Sequence, residues 1–292
     1  MSSALHTGEQ NDEHWDLIIR PKTSLFDLNL KGVWRYKDLI GLFVKRDFVA
    51  QYKQTILGPL WHFIQPIFTT VIFFIVFGTI AKIKTDPGIH PILFYMSGVT
   101  IWNYFSACLS NTSSTFVANA GIFGKVYFPR LVIPISAVIS NMVKFGIQFL
   151  LLITTIIFFS FRGYPIQFGW SWLLIPLLLI MMSLLGLGLG IIISSLTTKY
   201  RDFTILIGFA VQLLMYLTPV VLPMSYYMQS KYRFLVLLNP LSSIVEAFRF
   251  ALFKTGTLNI HGLLYSSVFI VVVVFTGLMV FSKVEKSFMD TV

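Results

Sequence analysis

Apolar residues gather into six long blocks: Leu60 to Ala81, Ile92 to Val117, Val132 to Ser160, Trp172 to Leu196, Phe203 to Leu222 and Gly262 to Ser282. Each has the length needed to cross about 30 Å of hydrocarbon as a helix of about 20 residues. The pattern predicts an all-α polytopic membrane protein with six transmembrane helices. An even number of spans puts both ends of the chain on one side.

Two further stretches have helical patterning without the purity of a span. Tyr36, Leu39, Ile40, Phe43 and Val44 share one face of a helix running from Tyr36 to Tyr52, with Lys37, Asp38 and Lys45 away from it and Asp47 interrupting the stripe. A basic amphipathic helix just before the first span is expected along the inner membrane surface; the alternative is a helix packed on protein. Met224 to Lys254 is apolar but broken at Asn239-Pro240, and carries Lys231, Arg233, Glu246 and Arg249. Neither half can span alone. Because unpaired backbone cannot face lipid, this segment is expected to form a re-entrant or interfacial helical pair sheltered by protein.

Residues 1–33 are therefore read as a polar cytoplasmic segment, 34–59 as the amphipathic interfacial helix, and 60–282 as the six-span domain. Within that domain lie a cytoplasmic loop at 118–131 and an extracytoplasmic re-entrant segment at 224–254, and a cytoplasmic tail follows at 283–292.

Composition supports a lipid solvent: 56% of the residues are hydrophobic and 12% charged, against roughly 45–50% and 25% in soluble domains. The first 30 residues are polar and hold no apolar core of the kind a secretory signal needs, so the N-terminus is expected in the cytoplasm. With both ends inside, fourteen Lys and Arg fall in cytoplasmic segments and seven outside, leaving Lys144 within a span. That bias favours cytoplasmic ends. The net charge of +10 is accounted for by topology and anionic headgroups rather than by nucleic acid. The single cysteine, Cys108, lies in an apolar block and reads as a small buried side chain.

The catalytic and ion-coupling signatures are missing from the sequence. No G-x-x-x-x-G-K-[ST] phosphate loop occurs; the nearest string, Gly121 to Lys125, is too short and is followed by Val126. The five histidines and the cysteine show no metal-ligand spacing. All twelve acidic residues lie outside the six blocks, which disfavours a proton- or sodium-coupled carrier.

Polar residues inside the blocks form stripes. Asn141, Lys144 and Gln148 follow i, i+3, i+7 spacing in the third block, so they share one helix face, with Ser140 beside them. Asn103, Ser106, Ser110 and Ser113 make a similar row in the second block, and Gln212 and Tyr216 an i, i+4 pair in the fifth. Counted from Arg130, Lys144 lies fourteen residues into the membrane, about 21 Å along a helix. Two accounts are open for these faces: a hydrated path, or a polar seam between packed helices. Glu246 and Arg249, spaced i, i+3, fit either a plain ion pair or a functional one. Gly186 and Gly190 stand at G-x-x-x-G spacing, a mark of close helix packing.

The run Arg46-Asp47-Phe48, continuing through Gln51-Tyr52-Lys53-Gln54-Thr55-Ile56-Leu57-Gly58-Pro59-Leu60-Trp61 to Gln65-Pro66, resembles the permease subunits of polysaccharide-exporting ABC transporters. Further marks follow in order: Phe128-Pro129-Arg130 with Pro134, Tyr200-Arg201-Asp202, Thr218-Pro219-Val220, and Asn239-Pro240 followed by Glu246 and Arg249. That family exports O-antigens, capsular polysaccharides and teichoic acids.

The resemblance implies an ABC-2 type exporter fold, and a homodimer with two separate ATPase subunits that hold ATP and Mg, so that this chain carries no cofactor or catalytic site. It also implies that Arg46, Asp47, Lys125 and Arg130 meet the ATPase. The segment with Asn239, Pro240, Glu246 and Arg249 becomes a gate at the outer end of the channel. The polar faces with Asn103, Ser106, Asn141, Lys144, Gln148, Gln212 and Tyr216 become a path for a lipid-linked glycan. A drug or lipid exporter of the same architecture and a non-transport scaffold are the rival readings.

Overall fold

The computed structural model describes residues 30–53, 56–123, 125, 126, 128–164, 169–197, 200, 202–256 and 258–287. The N-terminal segment 1–29, Arg201 of the Tyr-Arg-Asp motif and the end of the tail at 288–292 lie outside the described residues. Every regular element among the described residues is helical. In order they are α1 (Leu30–Arg35), α2 (Lys37–Tyr52), α3 (Trp61–Phe73, continued by a π-helical stretch Phe74–Ile80), α4 (Pro91–Ser113), α5 (Thr115–Ala118), α6 (Ala120–Phe123) and α7 (Val132–Ser160). They continue with α8 (Leu174–Thr197), α9 (Phe203–Tyr216), α10 (Met224–Met228), α11 (Arg233–Leu238), α12 (Pro240–Phe253) and α13 (Ile260–Ser287).

Five helical stretches are long and apolar enough to cross a membrane: 58–80, α4, α7, 170–197 and α13 up to residue 284. The sixth expected span, Phe203 to Leu222, is a helix only to Tyr216. Its 14 residues rise about 21 Å, short of the hydrocarbon thickness. The chain then turns through Leu217 to Leu222, a region bound by side chains from α12. Asn239 donates from Nδ2 to the Leu217 carbonyl (3.2 Å) and to Thr218 Oγ1 (2.9 Å).

Helices α4 and α8 form the centre of the bundle, with most of their apolar windows buried, while α3, α7 and α13 bury about a fifth of theirs. Lipid is as apolar as a leucine side chain, so helices in a bilayer associate chiefly by close packing. Gly186 and Gly190 provide it. A Cβ on Gly190 would come within 2.5 Å of Thr112 Cβ, and one on Gly186 within 2.8 Å of Cys108 Cβ. These two glycines let α8 press onto α4.

At one end of the bundle a second apolar cluster joins α2, the 115–131 linker and the ends of α7, α8 and α13. Phe43 of α2 meets Phe128 at 5.9 Å, Phe128 meets Phe123 at 5.9 Å, and Phe116 stacks on Phe281 at 4.8 Å. The face of α2 carrying Phe43, with Leu39 and Ile40 beside it, is thus turned onto protein.

The broken segment 224–254 divides at Asn239. Its Oδ1 accepts the Leu241 N–H (3.1 Å), capping α12, and Pro240 occupies the first turn where no N–H is needed. Helix α12 is largely buried against the bundle, whereas α10, α11 and the turn between them expose Tyr226, Tyr232, Phe234 and Leu235.

Candidate functional site

Two cations sit inside this bundle in opposite circumstances. The first, Lys144, faces a polar cleft of about 270 Å³ enclosed by α2, α3, α4 and α7. Asn141 and Gln148, the other members of the α7 stripe, line the same cleft, as do Asn103 and Ser106 of α4. Asn103 Nδ2 donates to Gln148 Oε1 (3.4 Å), and Asn111 Nδ2 to Asn141 Oδ1 (3.1 Å), so α4 and α7 are cross-linked at two levels. The Asn141 amide nitrogen, on a residue 1% exposed, has no hydrogen-bond partner among the described residues.

Gln65 of α3, which stands with Trp61 as an i, i+4 pair at the start of the first block, also lines the cleft. Sequence reasoning missed two contributors, Gln51 from α2 and His62 from α3. His62 is spaced i, i+3 from Gln65 on one face of the first span, and that spacing could have revealed it. Gln212 and Tyr216 do not join the cleft. Both are exposed on α9, where the Tyr216 carbonyl accepts the Tyr227 hydroxyl at 2.6 Å.

The depth of Lys144 also differs from the sequence expectation. Helix α7 has 29 residues and is about 43 Å long, which exceeds the hydrocarbon thickness by about two turns. Its first residues, Val132 and Ile133, pack in the cluster with Phe43 and Phe128. Lys144 then shares its cleft with Gln51, near the end of α2, and His62, one residue past the start of α3. The lysine therefore stands level with the start of α3. Asp47 of α2 is near enough to attract its charge, while Arg46 holds that carboxylate at 2.8 Å.

The second cation, Arg249 of α12, is 1% exposed and closely held. Its Nη1 donates to Glu246 Oε1 at 3.1 Å, its Nη2 to the Val220 carbonyl at 3.0 Å, and its guanidinium lies 3.7 Å from the centre of the Phe94 ring. Nε alone lacks a partner. Gly98 makes room: a Cβ there would lie 2.7 Å from Nη2 and 2.9 Å from the Val220 carbonyl oxygen. In the neighbouring 81–90 loop, burial pushes the Asp86 carboxyl above its usual range, with Arg249 pulling the other way. Arg249 and Asn239 together fasten α12 to the turn that ends α9.

The residues expected to meet an ATPase fall into two sets. Arg46 lies 4.6 Å over the Phe43 ring and is exposed, as is Lys125. Asp47 is half-buried, on the side of the Lys144 cleft. Arg130 is only 7% exposed, with its guanidinium 5.5 Å from the Phe123 ring. Arg46 and Arg130 thus cap the aromatic cluster at two ends.

Among the described residues no group of three His, Cys, Asp or Glu side chains is placed to hold a metal ion.

Residues 38–253 match the family model described as ABC-2 type transporter. Two sequences named O-antigen export system permease protein RfbA, from Klebsiella pneumoniae, are each 31% identical to this chain over 256 residues, covering 87% of it and 94% of their own length. A protein of the same name from Myxococcus xanthus is 22% identical over 264 residues, covering 90% of this chain and 98% of its own. This chain is a multi-pass membrane protein and belongs to the ABC-2 type transporter family.

Proposed function

We propose that this chain is the permease subunit of an ATP-driven exporter of lipid-linked polysaccharide, O-antigen-like in its substrate. The observation that carries the reading is the similarity to permeases named for O-antigen export, which extends over 94% of their length. Two copies of the chain would form the transport unit with two ATPase subunits, in the bacterial cytoplasmic membrane and with both termini inside. The lack of a phosphate loop in the sequence fits a division of labour in which ATP and Mg are held by the partner.

Polar and aromatic surroundings support a glycan over a drug. Sugar hydroxyls need hydrogen-bond partners, and the amides of the α4–α7 cleft supply them at the edge of the hydrocarbon. The α2 helix and the 115–131 linker, joined through Phe43, Phe123 and Phe128, would receive the ATPase movement as one body. Exposed Arg46 and Lys125 are the contact residues in this scheme. At the far end, α12 is the fixed wall of the gate and α10–α11 its exposed rim.

The test is reconstitution of the permease with its ATPase in liposomes. Lipid-linked glycan is expected to accelerate ATP hydrolysis and to reach the lumen. Movement of a drug or a phospholipid, with no glycan transport, would overturn the substrate assignment.

A further inference from the structure

At the end of the bundle opposite α2, the loops after α3, α7 and α12 meet: Gly88 stands against Thr255, and Gly169 against Lys254. The charge balance there is one-sided. Lys82, Lys84, Arg162, Lys231, Arg233 and Lys254 are all exposed. The acidic residues of the same segments are Asp86 and Glu246; neither is exposed, and both lie close enough to the buried Arg249 for its charge to act on them. Among the described residues no ion pair engages any of the six exposed cations.

Two of these lysines hold backbone that lysine does not favour. Lys82 and Lys254, each just past the end of a helix, have φ of +52°. Among the described residues they alone, apart from glycines, have positive φ. Glycine ends helices in this conformation with no Cβ to strain. A cation also suits a helix C-terminus, but neighbouring positions would serve that purpose without strain. Lysine at both positions points to a use for the side chain.

Lys82 and Lys84 line a pocket of about 510 Å³ whose other wall is the start of α10, with Ser225, Tyr226 and Gln229. Both walls are anchored. The Ile83 N–H donates to the Phe77 carbonyl at 2.9 Å. Across the pocket, the buried Tyr227 donates its hydroxyl to the Tyr216 carbonyl at 2.6 Å, while the adjacent Tyr226 remains 53% exposed.

We infer that this pocket is an exit subsite for a glycan carrying acidic sugar residues, with the acid group at Lys82 and Lys84 and a sugar ring on Tyr226. This deepens the export reading and rests on it for the direction of travel. The lining favours that ligand. Lysine only donates, and no carboxylate lines the pocket among the described residues, so the site suits a ligand rich in acceptors and negative charge. Tyr226 offers a ring face, and Gln229 and Ser225 can bond sugar hydroxyls. An acyl chain finds no lane here, because Ile83 is the one long apolar side chain of the lining. The other exposed cations extend the positive potential around the pocket, which raises the local concentration of an anionic chain as it emerges.

The experiment measures binding to the full-length permease in phosphatidylcholine nanodiscs, with trigalacturonic acid, galactotriose and phosphatidylglycerol as probes. Trigalacturonic acid is expected to bind more tightly than galactotriose, with an affinity that falls as salt is raised. Lys82→Gly removes the cation and relieves the backbone, so the melting temperature should hold or rise. The same variant should bind trigalacturonic acid about tenfold more weakly, the scale of one charge-assisted hydrogen bond. Lys84→Gln should weaken it similarly, and neither change should affect galactotriose. Equal binding of the two trisaccharides, or unchanged affinity in a folded protein carrying both Lys82→Gly and Lys84→Gln, would overturn the inference. Tighter retention of phosphatidylglycerol than of trigalacturonic acid, lost in that double variant, would show that lipid headgroups fill the pocket and would overturn the glycan assignment. Any of these results with transport of lipid-linked glycan intact would leave the export reading standing, whereas acid-selective binding with no glycan transport would defeat the export reading and keep the pocket.

Discussion

Arg249 and Lys144 are both cations in a low-dielectric bundle, and they are treated differently by their neighbours. Arg249 receives a carboxylate, a backbone carbonyl and an aromatic face, and α4 carries a glycine to admit it. Lys144 receives only the distant pull of Asp47 and the amides of an open cleft. The contrast teaches how to read a membrane-embedded charge. A charge whose partners lie within the fold is part of the fold, and one without such partners is the candidate for a role in function.

The largest effect should follow from breaking the satisfied charge. Arg249→Met leaves Glu246 buried without its partner, and breaking such a pair costs about 3–5 kcal/mol. The variant is expected to unfold far more readily in detergent, as read by a fluorescence melting curve. Arg249→Lys should rescue little, because an ammonium cannot bond Glu246 and Val220 together while stacking on Phe94. A stable Arg249→Met protein would erase the distinction drawn above.

Gly98→Ala probes the same node from the other side. The added methyl meets Arg249 Nη2 and the Val220 carbonyl below 3.0 Å, so overpacking of about 1–3 kcal/mol is expected. A loss in melting temperature that shrinks in an Arg249→Met background, where only the Val220 contact remains, would show that the two residues act together.

Charge reversal at the surface should be milder for folding and visible in coupling. Arg46→Glu and Lys125→Glu alter exposed residues, whose substitution changes stability by about 0.5 kcal/mol or less. Glycan-stimulated ATP hydrolysis is expected to fall in both. Unchanged stimulation would remove the proposed ATPase contact.

The smallest expected effect concerns pH. His90 caps α4, its Nδ1 accepting the Ile92 N–H at 3.3 Å, and its ring stacks on Phe159 at 4.1 Å. Burial holds its pKa below the usual 6.5. The folded state therefore binds that proton less readily than the unfolded chain. The cap's contribution is present above pH 6.5 and lost as pH falls through that value towards the lower folded pKa. Melting curves between pH 7.5 and 5.5 should show a modest acid loss, of about the size of one helix cap, that His90→Asn removes. An identical pH dependence in His90→Asn would assign the loss to other groups.

Much of this was legible in the sequence because helical periodicity is local. The stripe Asn141, Lys144, Gln148 could be read from spacing alone, and so could Asn103 and Ser106; all five line the cleft. Periodicity does not say which neighbour a face meets. Gln212 and Tyr216 share a face of α9 as expected, but that face is turned away from the cleft. Residue counting from Arg130 does not say which neighbours stand level with Lys144, because the first residues of α7, Val132 and Ile133, pack in the aromatic cluster with Phe43 and Phe128. The fifth block stops short as a helix because its last residues pair with Asn239 and Arg249, 22 and 29 residues away. Tertiary bonds of that range leave no trace in a local pattern.

The central claim is that Lys144 serves transport while Arg249 serves the fold, and one paired measurement tests it most directly. Export of lipid-linked glycan per correctly assembled Lys144→Met complex, in liposomes with the ATPase, is measured beside the melting temperature of the same protein. Export is expected to fall about tenfold or more with the melting temperature close to that of the parent. Normal export by a normally assembled Lys144→Met complex, or a melting loss as large as that of Arg249→Met, would contradict it.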